Sequence, residues 1–97
     1  MILTTTNTIE GHVIQDYLGI VTGVSINIKT SFSFKTEKNK KLYQDFVNQA
    51  KEEAFQSLKE NASKLKANAV VGISIDIEAS STSYFFVSIT GTAVKVV

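Results

Sequence analysis

The side chains best suited to chemistry stand near the start of the sequence, at Glu10, His12 and Asp16. If this stretch is a strand, their even spacing places one imidazole and two carboxylates on one face, and these groups can ligate zinc and similar metals. The chain has no Cys, one Met and one His, so soft metals find few of the donors they prefer. The sequence therefore predicts Glu10, His12 and Asp16 as candidate metal ligands.

Two alternatives stand beside a metal site built within one chain. A single histidine near acidic residues is typical of an exposed surface, because a zinc site needs three or four converging ligands. A ring of subunits could instead collect one His12 from each copy. On the first alternative we expect His12 to be exposed or near a strand end, and the purified protein to hold no metal.

The remaining polar residues give little support for enzymatic chemistry. Serine and threonine are abundant, but a nucleophilic hydroxyl needs a neighbouring base, and His12 is the only histidine. Asp76 and Glu78 could act as general acid and base, yet they alternate with Ile75 and Ile77, as the solvent-facing side of a strand would. We therefore predict no catalytic residues, no cofactor-binding residues, no cofactor and no enzymatic activity.

The basic residues are all Lys, and the formal net charge is only +1. One small basic cluster comprises Lys35, Lys38, Lys40 and Lys41. It could bind an anion or a nucleic acid, but Glu37 and Asp45 dilute it, and it lacks the guanidinium groups that favour phosphate recognition. The cluster is more typical of a solubilising surface, so we predict no nucleic-acid partner.

The start of the sequence and its apolar runs bear on location. The opening letters, MILTTTNTIEG, lack the basic and long apolar regions of a signal peptide, and no apolar run reaches membrane-spanning length. The absence of Cys excludes disulfides. We predict a single domain over residues 1–97, located in the cytoplasm and without a membrane partner.

A long amphipathic helix dominates the middle of the chain. Apolar residues recur at steps of three and four, which is the period of one helix face; they are Leu42, Phe46, Ala50, Ala54, Leu58, Ala62 and Leu65. The helix begins at Glu37, capped by Thr36, or nearer Lys41, and Ala67–Asn68 is its predicted end because Asn tolerates the left-handed conformation. At about 40 Å it should overhang a compact domain whose radius of gyration would be near 13 Å.

Strand patterns flank this helix on both sides. The stretches 1–6 and 12–28 precede it, and 69–77 and 84–97 follow it. Residues 29–39 could form a short extra strand or a loop. The order β-β-(β)-α-β-β predicts an α+β domain with a mostly antiparallel sheet, covered on one face by a single long helix.

Alternation along the strands assigns residues to the two sheet faces. In the stretch 69–77 one face carries Ala69, Val71, Ile73, Ile75 and Ile77. We assign this face to the inside and expect Phe46 and Leu58 to be buried against Val71, Ile73 and Ile75. In the second stretch Leu18, Ile20, Val24 and Ile26 should oppose Val13, Tyr17 and Val21.

Large apolar side chains on both sheet faces predict self-association. In the last stretch Phe85, Val87 and Ile89 oppose Tyr84 and Phe86. One helix covers one face only, so the other needs a second cover. We therefore predict a homo-oligomer, and Phe86→Glu should break it if that face is the interface.

An ordered set of short motifs resembles the YbjQ-like family, small proteins labelled as heavy-metal-binding domains. The motifs are TTTNTIEG at 4–11, DYLGIVTG at 16–23, a helix rich in KEEA, ANAVVGISID at 67–76 and TGTAV at 90–94. The resemblance implies a dodecin-like α+β fold and ring-shaped pentamers. It also implies an oligomeric binding or scaffold module, the alternative being a metal- or small-ligand-binding protein, as the label suggests.

The sequence departs from this family between the second strand and the helix. Family members commonly carry an Arg-Asp pair and a Gly-rich segment there, whereas this chain reads GVSINIKTSFSFKTEKNKK, with no Arg and no Gly after Gly23. A ligand or anion site at that place cannot be carried over. The resemblance therefore bears on fold and assembly more than on chemistry.

Overall fold

A computed structural model describes residues 1–28, 37–79 and 84–97. The elements, in chain order, are β1 (Ile2–Leu3), β2 (Ile14–Ile28), α1 (Glu37–Lys64), β3 (Ala69–Ala79) and β4 (Tyr84–Val96). The helix begins at Glu37, the earlier of the two predicted starts. The proposed cap Thr36, and residues 29–36 of the stretch predicted as strand or loop, lie outside the described residues.

Four strands form one sheet in the order β1-β3-β4-β2. Strand β4 pairs antiparallel with both β2 and β3, whereas the two-residue β1 runs parallel to β3. The chain after β1 stays beside β3, where the amide of Thr4 donates to the carbonyl of Val70 at 3.0 Å and the amide of Gly72 donates to the carbonyl of Thr6 at 2.8 Å. The long strand β2 therefore forms one edge of the sheet. Apart from the parallel β1–β3 pair, the sheet is antiparallel, as predicted.

Helix α1 lies on one face of the sheet and packs across β2 and β4. Its apolar face is fully buried at Ala50, Ala54, Leu58 and Ala62. The sheet contributes Val21, Val70, Ile73, Val87, Ile89 and Ala93 to the same core. The predicted burial of Leu58 is confirmed, while Phe46, nearer the start of the helix, is only partly buried.

Glycine lets the helix and the edge strand come into contact at Gly23. A Cβ atom there would collide with the carbonyl oxygen of Ala54 and would lie 2.6 Å from the amide nitrogen of Leu58. Both atoms belong to the helix backbone, so a side chain at this position would push α1 away from β2. The small residues of the helix and Gly23 together set the spacing of the two layers.

A bulge in β3 overturns the predicted inner face of that strand. The register passes from Val71 opposite Thr92 to Ser74 opposite Thr90, and Gly72 has a φ of 62°. One extra residue reverses the alternation, so Ile73 packs in the core under the helix while Val71 packs on the opposite face. The predicted set from Ala69 to Ile77 is therefore split between both faces.

Two register shifts in β2 likewise change its predicted faces. They lie between Ile14 and Asp16 and between Tyr17 and Gly19, whose φ is 134°. Tyr17 stands opposite Val94 and so shares the helix-free face with Ile20, which stands opposite Thr92. Leu18 packs against the core under the helix instead. The predicted faces of Tyr17 and Leu18 are therefore wrong, because a strict alternation of faces takes no account of bulges.

The domain is elongated, with a radius of gyration of 16.0 Å and extents of 50 × 23 × 15 Å. Strand β2 has 15 residues, which at about 3.3 Å each span about 50 Å, more than the roughly 42 Å of the 28-residue helix. The expectation that the helix would overhang a compact globule is therefore wrong as argued. The sheet lengthens with the helix, and the argument for self-association has to rest on surface chemistry.

Replacing Leu58 by Ala should lower the free energy of unfolding by about 2–5 kcal/mol, because a fully buried side chain leaves a cavity between helix and sheet. Leu65→Ala is the matched control, since Leu65 is 41% exposed at the end of the apolar face that contains Leu58. Urea denaturation followed by circular dichroism measures both. Equal losses for the two variants would contradict the assigned helix face.

Candidate functional site

The three predicted metal ligands lie at the start of β2 and in the turn before it. Glu10, His12 and Asp16 are all exposed, as expected for His12 on the surface alternative. The turn is fixed by Gly11, with a φ of 81°, and by a 3.1 Å hydrogen bond from the amide of His12 to the carbonyl of Ile9. Within residues 1–28, 37–79 and 84–97, no three His, Asp or Glu side chains form a group that could hold a metal. A metal role for these residues remains a prediction.

The other candidate residues form no visible reaction centre. Asp76 and Glu78 are exposed on the helix-free face of β3, opposite Ser88 and Phe86 in β4. Lys35 lies outside the described residues, and Lys38, Lys40 and Lys41 lie in the first turns of α1, where only the backbone is described. In the described part of the chain, the helix lacks the hydropathy that crossing a membrane would require.

The chain covers only part of the helix-free sheet face. A small second core of Ala69, Val71, Val94 and Val96 lies there, with Ile9 and Ile14 packed against it. The N-terminal segment thus shields the end of the sheet where β1 pairs with β3. Beyond that point no described segment lies over the side chains of β2 on this face.

The uncovered part of β2 carries large apolar side chains on either side of Thr22, which is exposed on the same face. Four of its side chains point away from the helix, and we call them the apolar stripe: Tyr17, Ile20, Val24 and Ile26. They are 69%, 78%, 47% and 65% exposed. The neighbouring strand adds Phe86, half-buried and opposite Ile26. Large apolar side chains so exposed along one edge strand are unusual for a surface in contact with water.

A second exposed apolar area lies at the opposite edge of the sheet, on the helix side. Ile75 and Ile77 stand opposite the buried Ile89 and Val87, yet they are 41% and 45% exposed. The helix lies mainly over β2 and β4, and on β3 its core includes Val70 and Ile73 but not these two isoleucines. Strand β1 pairs only with the first residues of β3, so among the described residues nothing pairs with the outer edge of β3 at 74–79.

Two polar contacts bind the helix to the edge strand that carries the stripe. The buried hydroxyl of Ser25 donates to Oε2 of Glu53 at 2.7 Å, and Nδ2 of Asn61 donates to the carbonyl oxygen of Thr22 at 2.7 Å. Ser25 points to the helix side of β2, whereas Thr22 takes part through its backbone carbonyl. Neither contact could be predicted from the sequence, because Glu53 and Asn61 look like members of a solvated helix face.

Helix α1 ends at Lys64, and the left-handed residue that closes it is Lys66 rather than the predicted Ala67–Asn68. Lys66 has a φ of 63°, and its amide donates to the carbonyl of Ser63 at 2.9 Å. The amide of Ala67 donates to the carbonyl of Ala62 at 3.1 Å. These two bonds form a Schellman motif, which satisfies carbonyls in the last turn.

Asn68 has a different role from the predicted one. Its Nδ2 donates to the carbonyl of Val96 at 2.8 Å, and its Oδ1 accepts the amide of Val96, also at 2.8 Å. The side chain therefore imitates the backbone of a paired strand residue. It anchors the end of β4 next to the second core.

Asn68→Ala should lower the free energy of unfolding by about 1–3 kcal/mol, because it leaves the amide and carbonyl of Val96 without this partner. Asn48→Ala, at an exposed position of α1, should be neutral or slightly stabilising because Ala favours helix. Thermal unfolding compares the two. An Asn68→Ala variant as stable as the wild type would contradict the anchoring role.

Comparison with known proteins supports the architecture. A family model described as "Putative heavy-metal-binding" matches residues 1–97. The fold is similar to the crystal structure of a protein with unknown function from the DUF74 family of Pediococcus pentosaceus ATCC 25745, with a TM-score of 0.72 and 22% identity over 100% of this chain and 98% of that one. The predicted α+β fold, with one helix across a four-stranded sheet, is confirmed. Since the family model spans residues 1–97, the chain belongs to the YbjQ family.

Proposed function

We propose that this protein is a self-assembling binding or scaffold module, and that its copies associate through the apolar stripe of β2. The observation that carries this proposal is the exposure of Tyr17, Ile20, Val24 and Ile26 in one row on an edge strand. An isolated exposed Ile is ordinary on a protein surface, but an aligned row of four large apolar groups is a surface that favours burial.

Burial of this row offers enough free energy to drive association. Fully burying one Val or Ile side chain contributes about 1.5–3 kcal/mol. Ile20 and Ile26 are 78% and 65% exposed, so most of that contribution is still available to each. The strand is already held by β4 and by the helix contacts of Ser25 and Thr22, so association need not order the backbone first.

The favoured occupant of the stripe is a second copy of the same chain. Each copy carries two unlike apolar areas: the stripe on the helix-free side of β2, and Ile75 with Ile77 on the helix side at the far edge. Contact between unlike areas is heterologous, and a heterologous contact that closes gives a ring. The resemblance to YbjQ-like proteins, whose members form pentameric rings, favours five copies.

The predicted place of Phe86 at the interface is compatible with this arrangement. Phe86 is half-buried and stands opposite Ile26, so it extends the stripe onto β4. Because part of its surface is already packed within the chain, a charge at this position would disturb folding as well as association. A fully exposed member of the stripe makes a cleaner test.

Ile20→Glu should dissociate the assembly, because it places a carboxylate in the centre of the stripe without removing a buried contact. Gln56→Glu is the matched control: it adds the same charge at an exposed position of α1, on the layer opposite the stripe. Sedimentation velocity at micromolar concentration measures size, and circular dichroism checks that both variants fold. If folded Ile20→Glu sediments as the wild type does, the stripe is not the interface.

A further inference from the structure

The metal donors of this chain can be surveyed almost completely. It contains no Cys, one His, one Met and nine acidic residues. The segments outside the described residues, 29–36 and 80–83, contain no His, Cys, Asp, Glu or Met. Heavy metals of soft or borderline character prefer thiolate, thioether and imidazole ligands. His12 and Met1 are therefore the only side chains with a preferred donor atom.

These donors do not fit a metal site within one chain. His12 and Met1 are both exposed, and in the described residues no three His, Asp or Glu side chains form a possible metal-holding group. Asp16 lies within β2, opposite Lys95 of β4, whereas Glu10 and His12 lie in the turn before that strand. A single imidazole on a turn leaves most positions of a four-coordinate metal to water.

We infer that one folded copy of this chain has no heavy-metal site, and that the protein can hold such a metal only between copies, with His12 as the donor from each. The side chains of one copy therefore do not provide the heavy-metal site that the description of the family names. The second half of the inference rests on the proposed self-association, since only an assembly could bring several imidazoles together.

The test is a titration of metal-free protein with Zn²⁺ and Cd²⁺ in competition with a chromophoric chelator. It compares wild type, His12→Ala and the double variant Glu52→His with Gln56→His. The double variant is a positive control, because residues 52 and 56 are exposed, stand one helical turn apart and already contact each other at 3.3 Å. Two histidines at this spacing form a metal-binding pair.

We expect the double variant to bind metal. We expect the wild type not to bind metal at a ratio of one metal per chain. Wild-type binding at one metal per several chains, lost in His12→Ala, also agrees with the inference. One metal per wild-type chain, or binding that survives in His12→Ala, would overturn it. The mass of the metal-free protein, measured on the same samples, shows separately whether self-association fails.

Discussion

The close contact between α1 and β2 determines what this domain buries and what it exposes. At Gly23 the strand meets the backbone of Ala54 and Leu58 with no room for a side chain. Small residues along α1 allow this approach, and the contacts from Ser25 and Asn61 hold the two elements together on either side of it. The helix is seated mainly on β2 and β4 and shares its core with Val70 and Ile73 of β3, while Ile75 and Ile77, farther along β3, are left partly exposed.

The same constraint shapes the opposite face of the sheet. Among the described residues, the cover there is the segment before β2, which packs Ile9 on the second core beside Ile14 at the start of β2. That segment reaches one end of the sheet, where Asn68 also anchors Val96. The apolar stripe on β2 lies outside its reach. Each copy therefore presents unlike apolar areas on its two layers, which is the basis of the proposed assembly.

The sequence predicted the parts of the structure that depend on regular periods. The apolar helix face from Ala50 to Ala62, the order of elements along the chain and the α+β class all follow from patterns of 3.6 and two residues, whereas the order of strands in the sheet was not predicted. Face assignments failed at Val71, Tyr17 and Leu18, because bulges at Gly72 and before Gly19 are backbone events that alternation cannot detect.

The functional surface was only partly predictable for a related reason. Two apolar sheet faces and one helix are visible in the sequence, and they predicted self-association. The path of the segment before β2 decides which half of the helix-free sheet face stays open, and this path has no sequence signal. Contacts such as that of Ser25 with Glu53 join residues 28 apart in sequence and have none either. The metal candidates were chosen by residue type and by their spacing on an assumed strand, but Glu10 and His12 lie in the turn before β2, and no common site within one copy forms among the described residues.

The proposed assembly requires that another copy of the chain covers the apolar stripe. The most direct test is the mass of the wild-type protein in solution, measured by multi-angle light scattering at micromolar concentration. We expect a single species at an integral multiple, greater than one, of the 10.6 kDa chain mass, with five copies favoured. A monodisperse species at 10.6 kDa would contradict it.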